Sequence, residues 1–311
     1  MDVLLEIWEF CSTSILRGGM YSLMAVGLAL VFGVMKIANF AHGEFYMLGA
    51  FFGYFCLTEL GKLGLPAYIT PLLSIAGAGI GVFIVAGMIE RTVFRALRKR
   101  SKGQWLMNTF LLTLGISIIL QNGAKLLWGA KYRGVTQMWK IDGLNWFYSI
   151  GLPPDRLIGF LIAVTSIAAF VLFLNKTNTG RAIRAVSQDE TGASLVGINL
   201  GAIHTLVFAL SGLLAGIAGA SLLSITPAFP FMGIMPLYKS WFVLILVGMG
   251  NIGGSIVGGL ILGFLETFAT TYLSQYFGSG SQEFICLTVI IAILLLKPNG
   301  IFGKTVKSAV E

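Results

Sequence analysis

Charge is what this sequence has least of. Of its 311 residues only 11% are Asp, Glu, Lys or Arg and 56% are hydrophobic, whereas soluble domains carry about a quarter charged residues. A chain of this composition needs lipid as its solvent. Histidine is nearly absent too: His42 and His204 stand in separate regions, so no metal constellation and no nucleophile with its base is visible, which argues against an enzyme and leaves no cofactor to expect. The three cysteines, Cys11, Cys56 and Cys286, have no paired spacing and lie in or beside apolar stretches, which points to packing rather than a disulfide or redox site. Basic residues are missing before Arg17, where Asp2, Glu6 and Glu9 stand instead. The charged start and cleavage site of a signal peptide are therefore absent, and the first apolar stretch is expected to remain.

What the chain does have is long apolar runs and 40 glycines. Runs near Ile15–Met35, Phe40–Leu57, Ala67–Ile89, Leu106–Leu127, Leu157–Leu174, Leu206–Ile225, Trp241–Met249, Ile256–Tyr272 and Phe284–Leu296 predict an all-α polytopic membrane helix bundle, because a crossing takes roughly 20 apolar residues. Eight or nine crossings are expected, in a single transmembrane domain over residues 1–311. The run at Trp241 is too short to span unless it begins near Leu237, so it reads as half of a broken helix. Small residues let such helices approach closely. Gly212, Gly216 and Gly219, Gly254 with Gly258, and Gly259 with Gly263 are read as packing faces within the bundle.

The net charge of +8 lies in short runs between apolar segments and reads as topology, not as a nucleic-acid surface. Arg91, Arg95, Arg98, Lys99, Arg100 and Lys102 against Glu90 alone put the connection after the third run in the cytoplasm. Lys176, Arg181 and Arg184, and the tail with Lys297, Lys304 and Lys307, also fall inside if every run crosses, and the N-terminus then faces out. Residues 129–156 fall on the outer face, where Trp128, Trp139 and Trp146 suit the membrane interface, although Lys131, Arg133 and Lys140 lie there as well. Pro227, Pro230 and Pro236 mark an external turn, read either as a plain connection or as a docking surface for an extracytoplasmic partner.

Two nucleotide motifs appear and fail on context. Gly248-Met249-Gly250-Asn251-Ile252-Gly253 fits a dinucleotide turn, but apolar runs of helical length flank it where a Rossmann unit needs alternating strands and helices. Gly303-Lys304-Thr305 ends like a P-loop, yet Pro298 stands where the first glycine belongs. Any ATP hydrolysis must therefore sit on another chain. The glycine break at Gly250–Ser255 and the polar break at Asn39–Glu44 occupy comparable positions and suggest an internal repeat.

Charged groups at membrane depth cost at least a few kcal/mol and normally face a cavity or partner. Asn39, His42 and Glu44, beside Lys36, and later Glu266, are accordingly candidates for lining or gating a pathway. The plainer alternatives are Glu44 pairing Lys36 or capping a helix start, and Glu266 joining helices by hydrogen bonds. Between the apolar runs, residues 176–204 mix Ile183, Val186, Leu195 and Val196 with charges, and Gly192 and Gly197 divide them into two short amphipathic pieces. These fit the groove of a soluble partner or an interfacial helix equally well.

The block Gly33-Val34-Met35-Lys36-Ile37-Ala38-Asn39-Phe40-Ala41-His42-Gly43-Glu44, the block Gly180-Arg181-Ala182-Ile183-Arg184-Ala185-Val186 through Gly197-Ile198-Asn199, and the ending Lys297-Pro298-Asn299-Gly300-Ile301-Phe302-Gly303 together resemble the permease family of branched-chain amino acid ABC importers, of the LivH type. The resemblance runs through most of the chain. It implies an ATP-driven importer of the bacterial inner membrane with a related second permease, two cytoplasmic ATPase subunits, and a periplasmic or lipid-anchored substrate-binding protein. It further implies that Arg181, Arg184, Gln188, Asp189, Gly192, Gly197 and Asn199 belong to the segment that docks on an ATPase. Relatives in the family carry urea or short amides, so the ligand stays open between these and amino acids. A secondary transporter or channel working without ATP is the competing class.

Overall fold

The structure, a computed structural model, describes residues 2–66, 68–100, 105–136, 138–139, 151–278 and 280–303. The topology residues Lys102, Lys140, Trp146, Lys304 and Lys307 lie outside them. All nine apolar runs are helical. In chain order the helices are α1 (Asp2–Met35), α2 (His42–Lys62), α3 (Ile69–Ile89), α4 (Arg95–Arg100), α5 (Trp105–Trp128), α6 (Pro154–Lys176), α7 (Asn178–Gln188), α8 (Glu190–Leu195), α9 (Leu200–Ser221), α10 (Ile234–Val247), α11 (Ile252–Phe268), α12 (Ser274–Phe277) and α13 (Ser281–Leu296). No strand is present among the described residues; Arg133 and Ala228 form one isolated antiparallel bridge.

Six of these helical stretches are long and apolar enough to cross a membrane: Leu4–Met35, Ile69–Arg98, Met107–Trp128, Pro154–Lys176, Leu200–Ser221 and Ile252–Phe277. The remaining three runs are shorter or more polar than these six. The α2 helix has 21 residues but carries His42, Glu44, Glu59 and Lys62. The α10 and α13 helices have 14 and 16 residues, which at 1.5 Å each rise only about 21 and 24 Å against a hydrocarbon core of about 30 Å. The Trp241 run begins even earlier than Leu237, at Ile234. Pro236 falls in the first turn of α10, where a missing N–H costs no helical bond.

Along α3, Ile75, Ala78, Val82 and Ala86 are buried while Ile80, Ile84 and Met88 are exposed. The two sets follow helical spacing, and with Ile118, Ile119, Leu161 and Leu172 also exposed the outer surface is one that only lipid would solvate. The connection expected after α3 is helix instead: a π-turn over Glu90–Phe94 joins α3 to α4.

Glycine sets the inner packing. A Cβ on Gly49 of α2 would stand 2.3 Å from the Gly216 carbonyl oxygen of α9, and one on Gly263 of α11 would stand 2.5 Å from the Gly18 amide nitrogen of α1. Backbones touch there because nothing intervenes. The small-residue faces at Gly212, Gly216, Gly219, Gly259 and Gly263 are thus spent inside the bundle. After α5 Trp139 is buried, so it is not the interfacial anchor expected, while Trp128, the last residue of α5, is half-buried and stacks on Phe51 with centroids 4.5 Å apart. Arg133 donates to the Trp128 carbonyl at 2.9 Å and lies over the Phe55 ring at 5.3 Å. This cation on the expected outer face is therefore a helix-capping and cation–π group. The three thiols are free.

Candidate functional site

The two sequence breaks meet at one end of the bundle. Helix α1 stops at Met35 because Lys36 turns into the left-handed region, φ 56°, with its amide bonded to the Phe32 carbonyl at 3.0 Å. Helix α10 stops at Gly248, φ 101°. A Cβ on Gly33 would lie 3.0 Å from the Gly250 oxygen, and Phe40 stacks on Trp241 at 5.5 Å. The C-terminal ending that imitates a P-loop straps the second break instead. Ile301 and Phe302 donate their amides to the Leu246 and Val247 carbonyls at 2.9 and 3.0 Å, satisfying groups that the interrupted helix leaves open. A cavity of about 760 Å³ opens here, walled by Lys36, Arg184, Ser187, Asn251 and Asn299.

The polar cluster after the first break is buried and serves as a hub between helices. Asn39 accepts the Ala41 amide at 3.1 Å, turning the chain into α2, while its Nδ2 has no partner among the described residues. His42 bridges three helices, with Nε2 3.0 Å from the Met24 carbonyl of α1 and Nδ1 3.1 Å from the Ser211 hydroxyl of α9. A carbonyl only accepts, so Nε2 carries the proton and Nδ1 accepts from Ser211. Gly43 must be glycine: a Cβ would stand 2.4 Å from the Gly233 oxygen. Glu44 does not reach Lys36. One of its oxygens, Oε1, accepts from Ser117 at 2.9 Å and Gln121 at 2.6 Å, both on α5. Its other oxygen has no partner among the described residues.

Glu266 sits at the other end, in a charged set that sequence reasoning half missed. Lys239 of α10 donates to Glu266 Oε1 at 2.6 Å and to the Tyr21 hydroxyl at 3.0 Å, while Tyr21 donates to Glu266 Oε2. The ammonium also lies 5.0 Å from the Tyr21 ring centroid. Lys239 lies just ahead of the run as read from Trp241. The signal that would have found it is the rule that a membrane-embedded carboxylate needs a cation nearby. Fourteen residues of α1 separate Tyr21 from Met35, about 21 Å of rise.

Cavities therefore approach α1 from both ends. Toward its start, one of about 320 Å³ reaches Met24; toward its end, the large one begins at Phe32. Neither includes Ala25–Val31, and Ala25, Val26, Leu28, Ala29, Leu30 and Val31 have no exposed surface. A fully buried stretch of α1 therefore separates these two cavities.

Residues 176–204 fold as two short helices lying against the same end as the breaks. Thr177 caps α7, its hydroxyl oxygen accepting the Gly180 amide at 3.0 Å, and Asn199 caps α9 by accepting the Ala202 amide at 3.1 Å. Gly197, φ 88°, makes the turn between α8 and α9 that a side chain would strain. Ile183, Val186 and Ala193 are buried against the bundle, Arg181, Arg184, Gln188 and Asp189 are exposed, and Leu195 and Val196 project at 84% and 77% exposure. A Cβ on Gly192 would meet the Asp189 carboxylate. Arg184 donates to Asn175 at 2.9 Å, and Arg181 bonds Asn178. Behind this segment, Glu190 lies 3.6 Å from His204, and buried Glu90 accepts from Arg98 at 2.8 Å and from Thr205.

Residues 10–296 match the family described as "Branched-chain amino acid transport system / permease component". The LivH permease protein of the high-affinity branched-chain amino acid transport system of Salmonella typhimurium LT2 is 30% identical over 295 residues, covering 92% of each chain. The corresponding BraD protein of Pseudomonas aeruginosa is 28% identical over 294 residues, again 92% of each. The probable LivH of Methanocaldococcus jannaschii is 29% identical over 296 residues, 93% of this chain and 90% of its own. A helical bundle with a lipid-facing apolar surface, matched nearly end to end by permeases, has one consistent assignment: the chain belongs to the permease components of branched-chain amino acid transport systems.

Proposed function

We propose that this chain forms half of the passage of an ATP-driven importer for branched-chain amino acids, paired with a related second permease. Two cytoplasmic ATPase subunits drive it, and an extracytoplasmic binding protein delivers the ligand. The observation that carries the reading is the two-helix segment α7–α8. Its apolar face is fixed to the bundle, and its other face offers charges beside the exposed pair Leu195 and Val196. An apolar pair left in water on a charged surface suits a protein partner. Arg91, Arg95, Arg98 and Arg184 gather at that same end, which supports placing it in the cytoplasm and the start of α1 outside.

Nucleotide drives such a machine only by binding one conformation better than another. Partner closure would push on α7–α8, and the contacts from Glu190 to His204 and from Thr205 to Glu90 would carry the push into α9 and α3. Substituting Arg184→Ala, Asp189→Ala or Gly197→Val is expected to weaken co-purification with the ATPases or uncouple hydrolysis from uptake. Insertion into the membrane stays intact. Unchanged pull-down and unchanged stimulated hydrolysis across all three would refute the docking assignment.

The Lys239–Glu266–Tyr21 set also suits a carrier energised by an ion gradient. The single chain in liposomes separates the readings, since ATP-independent uptake by it alone favours the carrier.

A further inference from the structure

Beside α1, at the end away from α7–α8, lies a cavity of about 250 Å³. That is just below the roughly 300–1,000 Å³ typical of drug-sized ligands, so it is scaled for a small one. Its polar wall holds Arg17, Arg156, Tyr21 and Glu266, and its apolar wall holds Met20, Leu222 and Ile225. Neither guanidinium makes an ion pair among the described residues. Among the described residues Arg17 donates to the Thr270 hydroxyl, at 3.5 Å. Asp155, next in sequence to Arg156, does not line the cavity. The one carboxylate present, Glu266, already has the Lys239 ammonium on Oε1. Two guanidiniums, Arg17 and Arg156, thus face this cavity with Glu266 as its lining carboxylate. Charged side chains among apolar membrane helices normally face a functional cavity or partner.

We propose that this cavity is a station on the passage that binds a zwitterionic α-amino acid with a branched aliphatic side chain. The inference rests on the amino-acid importer reading. The carboxylate is received by Arg17 and Arg156, whose planar forks match it. The side chain lies on Met20, Leu222 and Ile225. The ammonium is received by Glu266, whose oxygens each keep a lone pair after bonding Lys239 and Tyr21. The station has neighbours on both sides. Arg17 also walls a cavity of about 390 Å³ with Glu6 and Glu9, nearer the start of α1. Met20, Tyr21 and Leu222 also wall the cavity of about 320 Å³ that reaches Met24. A ligand entering from the start of α1 would pass it before the closed stretch at Ala25–Val31.

The test uses the assembled transporter in nanodiscs without its binding protein, titrated with leucine, leucinamide and 4-methylpentanoate. Leucine is expected to bind saturably. Leucinamide, which lacks the carboxylate, and 4-methylpentanoate, which lacks the ammonium, should each bind at least about tenfold more weakly, since a site built for a polar group rejects the analogue lacking it. R17Q and R156Q should weaken leucine by a similar factor, with R156K recovering part of the loss. Leu222→Ala keeps every charge and should lower the preference for leucine over alanine by roughly tenfold, so the site stays testable where an arginine variant fails to assemble. Three results would overturn the proposal: no leucine binding by the wild type up to roughly 10 mM, equal binding of leucinamide, or an R17Q/R156Q double variant that binds leucine normally and loses co-purified anionic lipid instead. Normal leucine import by that double variant sinks the station alone; a wild-type complex that hydrolyses no ATP during import sinks the importer reading whatever the cavity binds.

Discussion

Removing one partner of the Lys239–Glu266 pair should hurt far more than removing both. The two charges are 2.6 Å apart with side chains 20% and 6% exposed. At an effective dielectric of about 20 a pair at 4 Å is worth about 4 kcal/mol, and most of that offsets the cost of taking two ions out of water. Glu266→Gln leaves the ammonium with Tyr21 and a neutral amide, so destabilisation of about 3–5 kcal/mol is expected, the usual result of orphaning a buried charge. Lys239→Met leaves the carboxylate with Tyr21 alone and should cost a similar amount. The double variant Lys239→Met/Glu266→Gln orphans nothing and should recover most of the loss, giving a coupling energy of at least about 2 kcal/mol in the cycle. Thermal unfolding of the purified chain in detergent reads all four proteins, and leucine uptake by the assembled transporter is read in parallel. Stability should return in the double variant while uptake does not, because the site would then lack its carboxylate. Additive losses would show that the two charges do not stabilise one another, and full uptake by either glutamine variant would leave Glu266 a purely structural residue.

Three further expectations use the same two assays. Gly49→Ala places a Cβ 2.3 Å from the Gly216 oxygen and must push α2 from α9, costing about 1–3 kcal/mol; Gly115→Ala, with nothing within 4 Å, should be silent. Ser211→Ala removes the donor to His42 Nδ1 and should cost about 1–3 kcal/mol for the buried acceptor left without a partner, read as a lower unfolding midpoint. Gly300→Ala sets a Cβ 2.4 Å from the Gly248 amide at φ 79°. It should detach the C-terminal strap, seen as faster hydrogen exchange at Ile301 and Phe302.

The helices were legible because apolar runs are a long-range average: nine runs predicted nine helices, and only the crossing count depended on details of length. What composition hid were contacts decided by one atom pair. Nothing local in Asn39–Glu44 says that His42 will find Met24 and Ser211, since 18 and 169 residues separate them. Lys239 sits just ahead of the apolar run that begins at Trp241, so a reading by apolar runs does not reach it. Trp139 departs from its expected interfacial position for a related reason. Interfacial preference is a surface statistic, and at Trp139 it loses to burial. The P-loop imitation was rejected on spacing, yet only the bonds from Ile301 and Phe302 to Leu246 and Val247 give that ending a structural reason.

The closed stretch of α1 also indicates where the bundle can part. Helix α1 is held to α11 by backbone contact at Gly18 and Gly263 and by the Ser22 hydroxyl donating to the Ile256 carbonyl at 2.7 Å. Helix α2 is held to α9 by the equally close Gly49 and Gly216. Separating either pair exposes backbone that has no side chain to cover it, so each pair tends to move as one body. Between the two bodies runs a seam that His42 crosses, donating from α2 to Met24 of α1 while Ser211, on its own side, holds the ring. That hydrogen bond contributes about 0.5–1.5 kcal/mol net, and the seam is also held by apolar burial, since Leu23, Val26, Leu30 and Val31 of α1 share one core with Phe45 of α2 and Phe208 of α9. A partner's differential binding would have to offset both before the cavity ending at Met24 could join the one beginning at Phe32. Of the two gating candidates, His42 is the one whose bonds cross this seam, whereas the bonds of Glu44 to Ser117 and Gln121 tie α2 to the peripheral α5.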